Sequence, residues 1–269
     1  MTKSAKLGQN FLRAGQVARR IVDLLEAPAG PILEIGAGEG MLSGPLLEKF
    51  PGRRLVLVEV DPRLVTELER RFAGPNSPRR GGRVEILAGD ILQVDMEKLF
   101  PGERAAVIGN LPYHISKPLV DWLIGQRRRI AEAVLMLQKD FVDKLLSAAG
   151  GKKYNAQSVV FQLLFSARRC FDVPRGAFVP VPKIISTVLA VRPVDSPLRA
   201  DADEFYKFVK LCFAGRRKML WNNLAPYHDK KLLSAMALAS GLSPQKRAEQ
   251  LPPESFNRLF LAMQKDQPV

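Results

Sequence analysis

Residues 34–40 read Glu-Ile-Gly-Ala-Gly-Glu-Gly, a glycine loop that indicates the fold class. It follows a short apolar run, 31–35, that is typical of a buried strand, and it leads into a stretch with helical spacing, 41–50. Glycines at such a turn let the backbone approach a ligand closely, and the start of the helix offers unpaired N–H groups. A dinucleotide site requires a glycine where Met41 stands, so the spacing suits a ligand without a pyrophosphate, such as S-adenosylmethionine. A tight structural turn is the alternative.

The alternation of strand and helix continues outward from this glycine loop. Apolar runs rich in β-branched residues alternate with stretches whose apolar positions recur every three or four residues, which predicts parallel strands joined by crossover helices. The predicted strands are 31–35, 54–60, 83–88, 104–108 and 132–137, and the predicted helices are 15–27, 41–50, 62–72, 116–125 and 139–149. After Gly150, one more helix precedes two runs, 169–173 and 186–192, that extend the sheet with antiparallel strands.

From Asp201 onward the pattern is helical, after a proline-rich break at 193–197. The sequence therefore predicts an α/β protein with two domains. A Rossmann-like sheet occupies 1–194, and a small all-helical domain follows over 195–269.

Composition and charge narrow the class of protein further. Apolar side chains make up 46% of the 269 residues, which excludes a disordered chain. Lys and Arg outnumber Asp and Glu by 41 to 27, and the net charge of +14 favours a polyanionic partner such as nucleic acid. A solvated basic surface is the alternative. Arg216, Arg217 and Lys218 are the best candidates for phosphate contacts, although they could instead hold the two domains together.

Cysteine, histidine and hydropathy indicate the compartment. Cys170 and Cys212 lie in separate apolar stretches, so we expect buried, reduced thiols and a reducing compartment. His114 and His228 have no metal-ligand spacing, and we predict no metal. The N-terminus has no apolar signal region, and no apolar run is long enough to span a bilayer. We therefore expect a cytoplasmic protein with no membrane association.

Acidic residues follow the second and third predicted strands. Glu59 ends the second strand about 20 residues after the glycine loop, where a carboxylate can accept both hydrogens of a ribose diol. Asp61 competes for that role, but Pro62 after it fits a helix N-cap followed by proline at the first helical position. We assign Glu59 to the ribose and Asp61 to the cap. Asp90, after the third strand, is expected to face the adenine of the cofactor; the alternative is that it caps the next turn.

Residues 110–113, Asn-Leu-Pro-Tyr, come directly after the fourth strand and are the most specific signal in the chain. The exocyclic amine of a base is a poor nucleophile because its lone pair is delocalised into the ring. Acceptors at the Asn110 side-chain oxygen and the Leu111 carbonyl can draw that nitrogen toward tetrahedral geometry. Pro112 fixes the chain direction without adding a donor, and Tyr113 offers a face on which an extruded base can stack. The alternative is a proline turn with a buried tyrosine.

Several segments in order along the chain resemble one family. They are residues 6–12 (Lys-Leu-Gly-Gln-Asn-Phe-Leu), the glycine loop, residues 110–113, residues 176–183 (Gly-Ala-Phe-Val-Pro-Val-Pro-Lys) and residues 213–224 (Phe-Ala-Gly-Arg-Arg-Lys-Met-Leu-Trp-Asn-Asn-Leu). Over nearly its whole length the chain resembles the KsgA/RsmA family of small-subunit ribosomal RNA adenine dimethyltransferases. The resemblance implies a class I methyltransferase sheet with a helical domain. It also implies dimethylation of N6 on two adjacent adenosines near the 3′ end of that RNA.

The resemblance further implies roles for individual residues. Phe178 is expected to stack on the target adenine opposite Tyr113, although most aromatic residues belong to the core and this one could too. The partners implied are the small-subunit RNA and the precursor small subunit, with the enzyme acting as a monomer. The cofactor contacts implied are Asn10, Leu12, Gly36, Gly38, Glu59, Asp90 and Asn110.

Three positions depart from the family pattern. His114 stands where many members have asparagine, Asn155 where glycine is expected, and Val181 where proline is expected. None lies in the glycine loop or in residues 110–113, so they concern loop geometry and substrate fit. Because the reaction needs no strong base, we interpret His114 as a hydrogen-bonding or RNA-contacting residue.

Three other functions compete with this interpretation. A large-subunit RNA methyltransferase of the macrolide-resistance type shares the glycine loop but lacks the segment 216–224. A non-catalytic assembly factor could use the same fold as a scaffold, although the intact segment 110–113 argues against lost catalysis. A small-molecule methyltransferase is disfavoured by the basic charge and the helical domain.

Overall fold

The computed structural model describes residues 10–26, 29–73, 83–196, 198, 201–215, 217–243 and 245–265. Its internal contacts divide the chain into two units. The first comprises 1–142 and 166–193, and the second comprises 143–165 and 194–269.

The first unit contains a seven-stranded sheet. Its strands are β2 (Ile32–Ile35), β3 (Leu55–Glu59), β4 (Val84–Ala88), β5 (Ala105–Asn110), β6 (Ile130–Gln138), β7 (Phe165–Val173) and β9 (Ser186–Pro193), in the spatial order β4-β3-β2-β5-β6-β9-β7. The five neighbouring strands β4, β3, β2, β5 and β6 are parallel to one another, and β9 is antiparallel to β6. This arrangement confirms the predicted α/β fold.

Helices surround this sheet and form the second unit. They are α1 (Gly15–Asp23), α2 (Ser43–Lys49), α3 (Pro62–Leu68), α4 (Met96–Leu99), α5 (Ser116–Gln126), α6 (Lys139–Leu145), α7 (Ala156–Leu164), α8 (Ala202–Cys212), α9 (Leu220–Leu224), α10 (Lys230–Ser240) and α11 (Pro253–Lys265). Every residue of β2 and β3 is buried, as expected for parallel strands covered by helices on both faces. None of the described helices combines the length and apolarity needed to cross a bilayer.

The order of the strands reverses at β2, which has β3 on one side and β5 on the other. The carboxyl ends of β2 and β5 are in register, because Ile35 pairs with Gly109. A Cβ on Gly109 would lie 2.8 Å from the Ile35 carbonyl oxygen, so only glycine permits this approach. In open α/β sheets ligands bind in the crevice outside such a switch point. The fold therefore brings together the residues that follow β2, β3, β4 and β5.

A two-residue strand near the N-terminus was not predicted. Strand β1 (Phe11–Leu12) pairs antiparallel with β8 (Phe178–Val179), with Phe11 opposite Val179 and Leu12 opposite Phe178. The ladder continues where the Arg13 N–H donates to the Ala177 carbonyl at 2.8 Å. Runs of two residues are too short to show a strand period.

In the second unit the described elements are helical. Helix α7 packs against α8 and α11, which explains why residues 143–165 group with the C-terminal helices. The division into a sheet domain over 1–194 and a helical domain over 195–269, expected from the sequence, stays a prediction. Asn155 caps α7, because its Oδ1 accepts from the N–H groups of Gln157 at 2.9 Å and Ser158 at 3.3 Å. Asparagine is a strong N-cap, so this departure from glycine preserves a well-formed helix start.

Two expectations from the sequence need correction. Cys212 is buried as predicted, but Cys170 is only half-buried. It lies on β7, at the edge of the sheet, where an apolar sequence does not ensure a covered side chain. The helical pattern expected from Asp201 onward is interrupted before α9, which begins at Leu220, so Arg217 and Lys218 lie in the turn before this helix. Arg216 itself lies outside the described residues.

Candidate active site

A cavity of about 280 Å³ opens at the carboxyl edge of the sheet in the first unit. Its walls come from the segments that follow β2, β3, β4 and β5, and β1 and Phe178 complete them. Of the predicted site residues, the cavity is lined by Asn10, Leu12, Gly36, Gly38, Glu59, Asp90, Asn110, Leu111, Pro112, Tyr113 and Phe178. The fold thus brings residues from six separate segments into one site.

The glycine loop is held against β3 by hydrogen bonds. The N–H of Gly36 donates to the Val58 carbonyl at 2.9 Å, and the N–H of Gly38 donates to the Glu59 Oε2 at 2.9 Å. Gly36 and Gly38 have φ angles of +64° and +58°, a region that favours glycine. Gly40 has a φ of +75°, and a Cβ there would lie 2.4 Å from the Phe72 ring. Side chains at these positions would distort the loop.

Glu59 is buried, and within the described residues its carboxylate accepts hydrogen bonds from backbone N–H groups. Besides Gly38, the N–H groups of Val60 and Asp61 donate to Oε1, each at 2.9 Å. A carboxylate that accepts several N–H bonds is held in one position. Asp61 instead accepts from the Arg63 N–H at 3.0 Å and caps α3, with Pro62 at the start of the helix. The assignment of Asp61 to the cap is confirmed.

Glu34 lies beside Glu59 in the wall of the cavity, and sequence reasoning gave it no role. It is buried, and burial together with the nearby Glu59 carboxylate raises its pKa to about 8, although the Ser43 hydroxyl donates to it at 2.7 Å. With a pKa of about 8, Glu34 is mainly protonated at neutral pH.

Asp90 is exposed and has the capping role that was the alternative from the sequence, while its contact with adenine stays a prediction. Its Oδ1 accepts from the Leu92 N–H at 3.0 Å and so caps the turn at 91–93. It also lines the cavity. Capping and a ligand contact are compatible, because a carboxylate has two oxygens.

The segment 110–113 forms the opposite wall. The Asn110 side-chain N–H donates a long hydrogen bond of 3.5 Å to the Asn10 carbonyl. This bond uses the amide nitrogen, so the Oδ1 atom can still accept a hydrogen bond from a ligand. Leu111 is buried, and its N–H donates to the Met136 carbonyl at 3.4 Å. Tyr113 is half-buried and its hydroxyl lies 3.2 Å from the Ser186 hydroxyl.

Phe178 lies in the wall of the cavity and in the hydrophobic core at once. It is 1% exposed and packs in the same core cluster as Leu12. Phe178 therefore belongs to the hydrophobic core, as the alternative from the sequence stated, and its stacking on a base stays a prediction.

Sequence reasoning also missed an ion pair and a hydrogen bond that two arginines make to Glu39 beside the cavity. The Arg13 guanidinium donates to the Glu39 carboxylate at 2.9 Å, and Arg71 donates to the Glu39 carbonyl at 2.7 Å. These contacts attach the residue after β1 to the glycine loop. They depend on residues far apart in sequence, and no local pattern indicates them.

The other candidate residues lie outside the cavity or at its border. Arg217 and Lys218 are exposed in the second unit. Asn223 in the same segment donates to the Cys212 and Gly215 carbonyls at 2.8 and 3.1 Å, which fixes the turn before α9. His114 is exposed and lines the cavity. Within the described ranges, no group of three or more His, Cys, Asp or Glu could hold a metal ion.

Comparisons with known proteins identify one family. The family model described as "Ribosomal RNA adenine dimethylase" matches residues 1–265. Ribosomal RNA small subunit methyltransferase A of Geobacter metallireducens is 41% identical over 267 residues, which cover 96% of this chain and 94% of that protein.

Solved structures agree on the fold. The crystal structure of a dimethyladenosine transferase from Plasmodium falciparum has a TM-score of 0.76 at 23% identity, covering 95% of this chain and 98% of that one. The crystal structure of the 23S rRNA methyltransferase ErmE has a TM-score of 0.69 at 27% identity, covering 95% of this chain and 100% of that one.

Proposed function

The chain belongs to the ribosomal RNA adenine dimethylase family, and from this premise we propose that its substrate is the RNA of the small ribosomal subunit. It is an S-adenosylmethionine-dependent ribosomal RNA adenine dimethyltransferase. The reaction proposed is dimethylation of N6 on two adjacent adenosines near the 3′ end of that RNA. The small-subunit substrate is favoured over the large-subunit one because the 41% identical relative carries the small-subunit name.

One observation carries the proposal: Asn110 and the glycine loop line the same cavity. The loop wall fits an amino-acid nucleoside, because glycines at positive φ leave room for close approach and Glu59 is a fixed acceptor. We assign Glu59 to the ribose and Asp90 to the adenine, with Gly36 and Gly38 along the loop. Asn10 and Leu12 contact the methionine end, and Asn110 is a further cofactor contact. When bound, S-adenosylmethionine supplies a methyl group on a positively charged sulfur, which is already an activated donor.

The opposite wall prepares the acceptor amine. Asn110 Oδ1 and the Leu111 carbonyl accept the two amine hydrogens, which localises the lone pair on N6. Pro112 has no backbone N–H, so it adds no donor that would compete with the amine for these two acceptors. Tyr113 and Phe178 hold the adenine ring between their faces. Because the donor is already activated, no metal and no strong base are required, and the proton leaves to water after transfer.

The second unit and the basic surface bind the RNA. With a net charge of +14, the protein attracts a phosphate backbone at long range, and Arg216, Arg217 and Lys218 are assigned to phosphate contacts. We propose that the enzyme acts in the cytoplasm, as a monomer, on the precursor of the small subunit.

A methyl-transfer assay tests the proposal. Purified protein is incubated with labelled S-adenosylmethionine and with either small-subunit or large-subunit RNA, and primer extension locates the modified bases. We expect two adjacent stops near the 3′ end of the small-subunit RNA, and far slower appearance of both stops with an Asn110→Ala variant. Label in the large-subunit RNA, or stops elsewhere, contradicts the proposal.

A further inference from the structure

Nine large apolar side chains of the described residues stay exposed, and four of them lie between positions 179 and 185. Val179 and Val181 are 54% and 64% exposed, and Ile184 and Ile185 are 41% and 40% exposed. We call these four side chains the apolar rim. Scattered exposed apolar residues are ordinary, but a cluster in one short loop marks an interaction surface.

The loop that carries the rim is fixed at both ends. At its start, Val179 pairs with Phe11, and at its end the Lys139 N–H donates to the Ile185 carbonyl at 3.0 Å. Pro182 is buried between them. The rim is therefore presented by an anchored loop rather than by a free one.

Both ends of the loop also border the cavity. Phe178, before the rim, lines the cavity, and Ser186, after it, lies 3.2 Å from the hydroxyl of Tyr113. A strand of RNA whose adenine enters the cavity must leave it on either side across neighbouring surface, and the rim is such a surface.

Charge around the rim fits the same occupant. Residues 173–185 contain Arg175 and Lys183, both exposed, and no acidic residue. Lys139 beside them is paired with Asp172 at 2.5 Å. Apolar side chains flanked by cations suit unstacked bases joined by phosphates.

We propose that the apolar rim packs against the nucleotides that flank the target adenine, filling the space that the extruded base leaves in the stack. This inference rests on the proposed function, because it takes small-subunit RNA as the substrate. Extrusion breaks stacking on both sides of the target, and apolar contacts to the exposed neighbours offset that loss. The rim thus contributes to RNA binding rather than to methyl transfer.

The test compares a Val181→Ser/Ile184→Ser variant with wild type. We expect KM for small-subunit RNA to rise about tenfold, while the Kd for S-adenosylmethionine and the unfolding temperature keep their wild-type values. A Val181→Ile/Ile184→Val variant retains apolar surface and should keep the wild-type KM.

A second RNA separates base contacts from other effects. Small-subunit RNA with abasic nucleotides on both sides of the adenosine pair should raise the KM of wild type, yet add nothing to the KM of the double serine variant. Equal abasic effects in the two proteins, or an unchanged KM in the serine variant, overturn the inference. If wild type fails to methylate the RNA at all, the proposed function itself is wrong.

Discussion

The two walls of the cavity are held in different ways. In the cofactor wall, formed by residues 36–40 and Glu59, the glycine loop is bonded to β3 at 2.9 Å and the Glu59 carboxylate accepts from three N–H groups. In the base wall, formed by residues 110–113 and Phe178, the Asn110 amide donates one bond of 3.5 Å among the described residues, and the Tyr113 hydroxyl lies 3.2 Å from that of Ser186. The cofactor wall is fixed before any ligand arrives, whereas the base wall keeps its acceptors available for the substrate.

Removing the acceptor of the base wall should have the largest effect. Asn110→Ala should lower kcat about 10²- to 10³-fold, because one of two acceptors for the amine hydrogens is lost. The Kd for S-adenosylmethionine, measured by calorimetry, should change only a few-fold. A variant that loses cofactor binding and keeps kcat would place Asn110 in the other wall.

The complementary change is Glu59→Gln. An amide cannot accept from three N–H groups as the carboxylate does, so the Kd for S-adenosylmethionine should rise about 100-fold, which corresponds to about 2.7 kcal/mol. At saturating cofactor, kcat should fall much less than in Asn110→Ala. An unchanged Kd for S-adenosylmethionine would mean that the Glu59 carboxylate holds the glycine loop in place and does not contact the cofactor.

Two glycine substitutions test how tightly the cofactor wall is packed. Gly40 belongs to this wall, and Gly52, outside it, is the control. Gly40 and Gly52 have φ angles of +75° and +81°, but a Cβ has no neighbour within 4 Å at Gly52 and meets Phe72 at 2.4 Å at Gly40. Gly52→Ala should lower the free energy of unfolding by about 1 kcal/mol through backbone strain. Gly40→Ala should lower it by about 2 kcal/mol more.

Urea unfolding gives both values, and Phe72→Leu in the Gly40→Ala background should recover part of the loss. Equal losses for the two alanine variants would show that the contact with Phe72 is easily relieved.

Beneath the cofactor wall, the protonated Glu34 should give a pH-dependent stability. Its pKa is about 8 in the folded protein and near the ordinary 4.5 in the unfolded chain. Below pH 4.5 both states bind the proton, and between about 4.5 and 8 the unfolded chain loses it first. The free energy of unfolding should therefore decrease by about 1 kcal/mol per pH unit within this window from Glu34 alone.

Glu34→Gln removes that dependence and keeps an acceptor for the Ser43 hydroxyl. Its stability relative to wild type should increase from pH 5 to pH 8 in urea unfolding. A constant difference across that range would mean that Glu34 is ionised in the folded protein.

The smallest effect is expected at the border of the base wall. His114→Ala should change kcat by about twofold or less, since the reaction requires no strong base, and should raise KM for RNA a few-fold. Loss of transfer with intact folding and cofactor affinity would instead make His114 a catalytic residue.

The comparison also explains what sequence could predict. The glycine loop, Glu59 and residues 110–113 each follow a buried parallel strand, and the carboxyl ends of such strands lie at one edge. Pro62 separated the role of Asp61 from that of Glu59. These positions are set by local patterns, so the sequence located a residue in each of the segments that line the cavity.

Features set by pairing or packing between distant residues could not be found in this way. The ladder between β1 and β8 involves two residues on each side, and the Arg13–Glu39 pair joins separate segments. The exposure of Cys170 depends on its place in an edge strand, which composition does not specify. Glu34 belongs to the quoted glycine motif, but its proton depends on burial beside Glu59.

The ladder between β1 and β8 bears on folding during synthesis. Phe11 and Leu12 leave the ribosome early, whereas their partners Val179 and Phe178 come from the far end of the first unit. Contacts between such distant positions form late, because the chain between them must first be made and ordered. A nascent chain that stops before residue 178 therefore cannot complete its cavity, and binding competence arises only after β8 has been translated.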